Sequence, residues 1–319
     1  MYWPYFRGKQ FELLAIRDAT SVVSRERICP IIEPVRANTK SLEVACDALL
    51  ENGFSFSLIL NPCCGDFRGR NSRLYQLAER YRGYLACRYG FIISDGTTIE
   101  DLLQFFEFSS GHAISLIHYS DHLDRAELIK ILSEQQKKTD IANVIHENTS
   151  RRYRHAVRSV PGQILIQLGD SFNKVKNADY PEEEVFTERH LDYKEDGFAG
   201  FSDFLIVGEE FSDAGGPAFA IAIHLTFFDE KDDDIMKIRH FVSDSKETSK
   251  DPQGKCAEAI AKMIPVIGQE PQSPNFDTKG CEEYRNLRRS GRFPGLGYLK
   301  KLSMLHHMEI LNHFLEDNH

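Results

Sequence analysis

Ionisable side chains recur in this chain at the points where short apolar runs end. Arg7 and Lys9 follow YWPYF, Glu33 and Arg36 close ICPIIEPVR, Asn61 closes FSLILN, and Asp95 follows YGFIIS. His118 ends AISLIH, His146 and Glu147 end IANVIHE, Asp170 follows QILIQLG, and Gly208, Glu209 and Glu210 follow DFLIV. Carboxylates and imidazoles brought to one place suit general acid–base work or a divalent metal. Arg7, Lys9 and Arg36 suit an anionic group such as a phosphate. The sharpest chemistry that fits is hydrolysis of a phosphodiester, nucleotide or nucleic acid. Glu33, Glu147 and Asp170 would hold a divalent metal or act as acid and base, and His118 or His146 would move the proton. Arg7, Lys9, Arg36, Asn61 and Gly208 would bind the substrate.

Each of these residues also has a purely structural reading. Glu33 lies between Ile32 and Pro34, so its charge enters an apolar strand and needs a partner that Arg7 or Arg36 could supply. His118 and His146 could each bond a loop carbonyl. Glu147, Asn148 and Thr149 could simply lead into the next helix and cap it. His224 and His240, one per arm of a hairpin, could pack as a cross-strand pair. Gly208, Gly215 and Gly216 could let backbone N–H groups approach a phosphate. The neighbouring Glu209, Glu210 and Asp213 would repel it without a cation, and a turn-forming role competes. The chain has no HxH after its first strand, no HExxH, no GxSxG and no Walker A lysine motif.

These positions matter because of the elements that carry them. Buried-type strands at about 2–6, 28–35, 56–61, 89–94, 113–118, 141–146, 163–169 and 203–207 alternate with amphipathic runs such as TTIEDLLQFFEF. Eight near-continuously apolar strands with helical crossovers predict an α/β, (β/α)8 TIM-like barrel, whose working residues sit at the C-terminal strand ends. A doubly wound open sheet is the rival, because periodicity cannot separate a closed sheet from an open one. The expected division is 1–208 for the barrel, 209–245 for an acidic loop and β-hairpin lid, and 246–319 for a C-terminal helical extension packed on the barrel. In that tail, helices are expected near 253–264, 279–290 and 295–316, with a loop at 268–280.

Composition bounds the rest. The chain has 319 residues, of which 41% are hydrophobic and 27% charged, so a large core is expected and wholesale disorder is not. A net charge of -9 argues against a uniformly nucleic-acid-binding surface. Two basic runs go against it: Arg151, Arg152, Arg154 and Arg158, and Arg285, Arg288, Arg289, Arg292, Lys300 and Lys301 interleaved with Tyr284, Phe293 and Tyr298. The second is the expected nucleic-acid or protein-partner surface. Seven cysteines without a CxxC pair read as buried thiols of a reducing compartment, with vicinal Cys63 and Cys64 the one pair to watch for redox chemistry. MYWPYFRGK lacks a signal-peptide pattern, and no apolar run nears the roughly 18 residues of a membrane span. A cytoplasmic protein without a membrane partner is expected.

Three pieces carry a family resemblance: YWPYFRGKQFELLAIR, IIEPVRA, and SDFLIVGEEFSDAGGPAFAIAIHLTFF followed by IRHFVSD. Together they resemble the bacterial and phage "beta protein" family, over roughly residues 1 to 245. The resemblance implies a barrel fold, a phage-defence or toxin–antitoxin setting, and a co-encoded protein partner. It hands over no catalytic residue. Two functions fit these residues and the resemblance: a barrel hydrolase, or a non-catalytic barrel that complexes a co-encoded partner.

Overall fold

The computed structural model describes residues 1–69, 72–213, 219–268 and 273–318. Eight parallel strands follow one another round a single sheet: β1 (Tyr5–Phe6), β2 (Ile31–Ile32), β3 (Phe56–Ile59), β4 (Cys87–Ile93), β5 (Ile114–His118), β6 (Ile141–His146), β7 (Ile164–Leu168) and β9 (Gly200–Ser202). The row closes on itself, because Trp3 N donates to Phe201 O at 2.8 Å and Tyr5 N to Asp203 O at 2.9 Å. The molecule contains the (β/α)8 barrel that the strand rhythm predicts.

Helices alternate with these strands: α1 (Gln10–Ala19), α2 (Lys40–Glu51), α3 (Ser72–Arg80), α4 (Ile99–Phe108), α5 (Arg125–Gln135) and α6 (Arg151–Arg158). Side-chain caps set several starts. Thr98 and Asp101 form a capping box on α4, while Asp124 and Ser150 accept the exposed N–H groups of α5 and α6.

One stave differs from the sequence reading. The eighth strand is Gly200–Ser202, not Asp203–Val207. Two local facts explain this. A Cβ on Gly200 would lie 2.4 Å from Met1 O, so only glycine lets the N-terminal segment close against the strand. Leu205 has φ 51°, which breaks extension. Phe204, Leu205 and Ile206 are buried as a turn; their continuous apolar character reported burial, not strand geometry.

The chain divides into two compact units. The first is Met1–Lys9, Arg25–Gly169 and Asp192–Asp203, which holds the barrel strands. The second is Gln10–Ser24, Asp170–Leu191 and Phe204–His319. The second contains an antiparallel sheet in the order β10 (Ala222–Asp229), β11 (Ile235–Val242), β8 (Glu183–Thr187). The hairpin was legible in the sequence, but its third strand was not: β8 lies in the acidic stretch 179–200, just before the short helix α7 (Arg189–Asp192). Helices α8 (Pro252–Ile267), α9 (Lys279–Ser290) and α10 (Leu296–Asp317) complete this unit. Ile223, Leu225, Ile260, Met263, Tyr284 and Leu302 share its apolar core. Helix α1 counts with this unit too, held to α10 by Lys301 Nζ on Asp18 Oδ2 at 2.7 Å. Among the described residues no helix is long and apolar enough to cross a membrane.

Candidate functional site

At the C-terminal end of the barrel, Glu33 follows β2 and is 0% exposed. Its Oε2 accepts from Tyr5 Oη at 2.7 Å and from Arg7 Nη1. Its Oε1 accepts from Cys63 N at 2.8 Å and from the thiols of Cys63 and Cys64, each at 3.3 Å. Burial alone would push the Glu33 carboxyl up, but Arg7 and these hydrogen bonds outweigh it and hold it below its usual value. Removing Arg7 would leave a buried carboxylate uncompensated, a loss of about 3–5 kcal/mol.

The other strand-end residues fall into distinct groups. His146 stacks on Tyr119 with centroids 5.1 Å apart, and Tyr119 meets the edge of Tyr5 at 6.4 Å. Arg7, Glu33 and His146 are thus linked through two tyrosines. His146 Nδ1 also accepts from Asn148 N at 3.1 Å. His118 points away, toward the helix layer. Its Nε2 donates to Asn143 Oδ1 at 2.9 Å and its Nδ1 accepts from Tyr153 Oη, on α6, at 2.7 Å. Burial lowers His118 to about 4, so its ring is neutral near pH 7. Asn61 pairs with the backbone of Ile92 through both Nδ2 and Oδ1. Lys9 is half-buried, whereas Arg36, Asp95 and Glu147 are exposed.

Asp170 belongs to the second unit, where it accepts from Phe172 N at 3.0 Å and Glu209 N at 2.9 Å and so ties the turn at Gly208, φ 76°. Gly215 and Gly216 lie outside the described residues. The basic–aromatic run splits as well. Arg285 is buried and donates to the carbonyls of Ile267, Gly268 and Phe276, and Tyr284 donates to Leu299 O. Arg288, Arg289 and Arg292 are exposed.

The second unit holds a cavity of about 470 Å³. Phe172, Ile206, Val207 and Leu299 supply apolar wall, and Lys174, Lys300, Asn177 and His224 supply polar groups. No carboxylate is among the described lining residues, although Lys174 Nζ lies 3.1 Å from Glu210 Oε2. His224 and His240 are cross-strand partners in the hairpin register, and their Nδ1 atoms are 2.7 Å apart. His240 Nε2 lies 3.2 Å from Glu184 Oε1. Tyr180 stacks on His240 at 4.5 Å and meets His224 edge-on at 4.7 Å, while Phe172 meets His224 edge-on at 5.1 Å.

No family model, curated protein or solved structure matches this chain.

The hydrogen-bond chain dictates its tautomers. A carboxylate only accepts, so His240 carries its proton on Nε2. Burial lowers both rings below the ordinary histidine value, most strongly His224, where His240 and the Lys300 charge add to the effect. A neutral His240 then has a bare Nδ1, which accepts from His224 Nδ1–H. His224 consequently keeps the lone pair on Nε2, the nitrogen left for the cavity it lines. Sequence reasoning singled out the histidine pair, and Lys300 as part of the basic–aromatic run, but missed Glu184, Tyr180 and Lys174. Nothing local marked Glu184, and Lys300 was marked only as one residue of that run, not as a group at this cavity.

Proposed function

We propose that the protein is a hydrolase of small phosphodiesters and that the second unit's cavity is where it works. The observation that carries this reading is the chain Glu184–His240–His224, which ends in an imidazole at a cavity lined by Lys300 and by Lys174, the latter 3.1 Å from Glu210 Oε2. A volume of about 470 Å³ falls in the range typical of small-molecule sites. His224 Nε2 takes a proton from water as the water oxygen bonds to phosphorus. The ester P–O bond breaks, and the leaving oxygen recovers the proton from His224. Lys300 offsets the negative charge of the phosphoryl oxygens. Glu184, through His240, keeps His224 in the tautomer that can act as base. The resemblance to the beta protein family would put this activity in a phage-conflict setting.

The test is hydrolysis of bis(p-nitrophenyl) phosphate and of a dinucleotide. His224→Gln is expected to lower kcat/KM by about 10²–10⁴-fold while the unfolding midpoint stays close to wild type. Absence of hydrolysis of either ester by folded wild-type protein would overturn the proposal.

The rival, a non-catalytic module that grips a co-encoded protein, is favoured by the large apolar side chains that the second unit leaves at its surface. Val185 is 56% exposed and Phe219 57%. Undiminished biological activity of the His224→Gln protein would favour it.

A further inference from the structure

The loop after β3 returns over the end of β2 and gathers three metal-ligating atoms for which the proposed hydrolysis has no use. Glu33 Oε1, Cys63 Sγ and Cys64 Sγ all lie within 4.8 Å of one another. Each sulfur is 3.3 Å from that oxygen. A tetrahedral Zn²⁺, with bonds of about 2.3 Å to sulfur and about 2.0 Å to oxygen, requires S···O separations of about 3.5 Å. Both S···O separations are within a small adjustment of that geometry.

We propose that Glu33, Cys63 and Cys64 form a Zn²⁺ site at the barrel's C-terminal end, with the fourth tetrahedral position open. The carboxylate is suited to the role because its two oxygens face different ways. Oε2 is fixed by Tyr5 and Arg7, as outer-shell partners fix a ligating group. Oε1 is directed at the two sulfurs. The loop is fixed as well. Gly65 has φ 73°, and a Cβ there would lie 2.3 Å from Val35 O, so the turn packs against the chain that follows Glu33. Asp66 N donates to Val35 O at 3.0 Å, and Asp66 Oδ2 accepts from Ala37 N at 2.8 Å.

Charge and softness point to the same ion. Two thiolates and one carboxylate carry three negative charges against the ion's two positive ones. Arg7, whose Nη1 is 3.8 Å from Cys64 Sγ, neutralises the remainder. Thiolate ligands select Zn²⁺ over Mg²⁺ or Ca²⁺. Binding releases the two thiol protons to solvent. Cys63 is exposed, which gives the ion a path in, whereas Cys29, Cys46, Cys87, Cys256 and Cys281 are buried.

Reduced, chelator-stripped protein titrated with Co²⁺ tests this. One equivalent is expected to develop a thiolate-to-cobalt charge-transfer absorption that Zn²⁺ then bleaches. Cys63→Ser and Cys64→Ser should each weaken Co²⁺ binding more than about tenfold, with the metal-free unfolding midpoint unchanged. His224→Gln should leave the titration as it is, which separates this site from the proposed hydrolysis. Glu33→Gln disturbs the buried Arg7 pair and can fail to fold, so the two cysteine variants decide. A folded wild-type protein without the band, or a band that persists when both cysteines are serine, would overturn the proposal.

Discussion

His118, at the end of β5, and His224, on β10, look alike by the usual criteria. They are 0% and 7% exposed, and burial is the leading cause that depresses the basicity of both. Their partners separate them. His118 has Tyr153 on one nitrogen and Asn143 on the other, so it joins two elements and has no nitrogen left for a substrate. His224 has one nitrogen on His240 and lines a cavity with the rest of its ring. A depressed imidazole pKa is thus a property of the surroundings. Only the count of engaged nitrogens distinguishes an imidazole that holds the fold from one that can do chemistry.

Four outcomes test that contrast. The largest is the loss in kcat/KM of about 10²–10⁴-fold for His224→Gln; a matching loss for His118→Ala in folded protein would erase the distinction. Next, His118→Ala should cost about 3 kcal/mol in denaturant unfolding, because it leaves buried Tyr153 and Asn143 groups unsatisfied, while hydrolysis by the folded fraction is retained.

The third concerns pH. His118 is lowered from 6.5 to about 4, so the unfolded chain binds the extra proton first as pH falls. Stability from this residue is complete above about pH 6.5, declines as pH drops and is lost below about 4. Between pH 7 and pH 5 wild type should lose about 2 kcal/mol more than His118→Ala. Parallel pH curves for the two proteins would contradict the burial argument.

The smallest effect is expected from Glu184→Gln. A carboxamide can donate to His240 Nε2, which lets the tautomer chain reverse and puts the proton on His224 Nε2. A reduction in kcat/KM on the order of tenfold, with little change in stability, would sharpen the relay. Unaltered hydrolysis would confine the role to His224 itself.

The candidate residues were legible to different depths, and the differences have physical causes. Glu33 was recognisable because a carboxylate inside ICPIIEPV must find a cation, and Arg7 supplies it. The hairpin itself was legible, but whether His224 and His240 faced each other stayed conditional until the register Asp229↔Ile235 put them opposite. The outward direction of His118 was not accessible, since period-2 alternation says that faces alternate but not which face looks into a barrel. The basic–aromatic run at 284–301 hid two kinds of residue, because helix rotation turns Tyr284 and Arg285 inward and Arg288 and Arg289 outward.

The eightfold strand–helix rhythm, the hairpin and the tail helices were all written in local periodicity and turn chemistry. Those signals act over a few residues and report burial and backbone preference. Which side chains meet was decided by closure of the chain over long separations: Cys63 reaches Glu33 across 30 residues, and Glu184 reaches His240 across 56. Recruitment of β8 to the hairpin, the turn at Leu205 and the return of the Cys63–Cys64 loop depend on partners that no local window contains. For that reason the barrel could be read in advance, while both proposed sites emerged only with the tertiary structure.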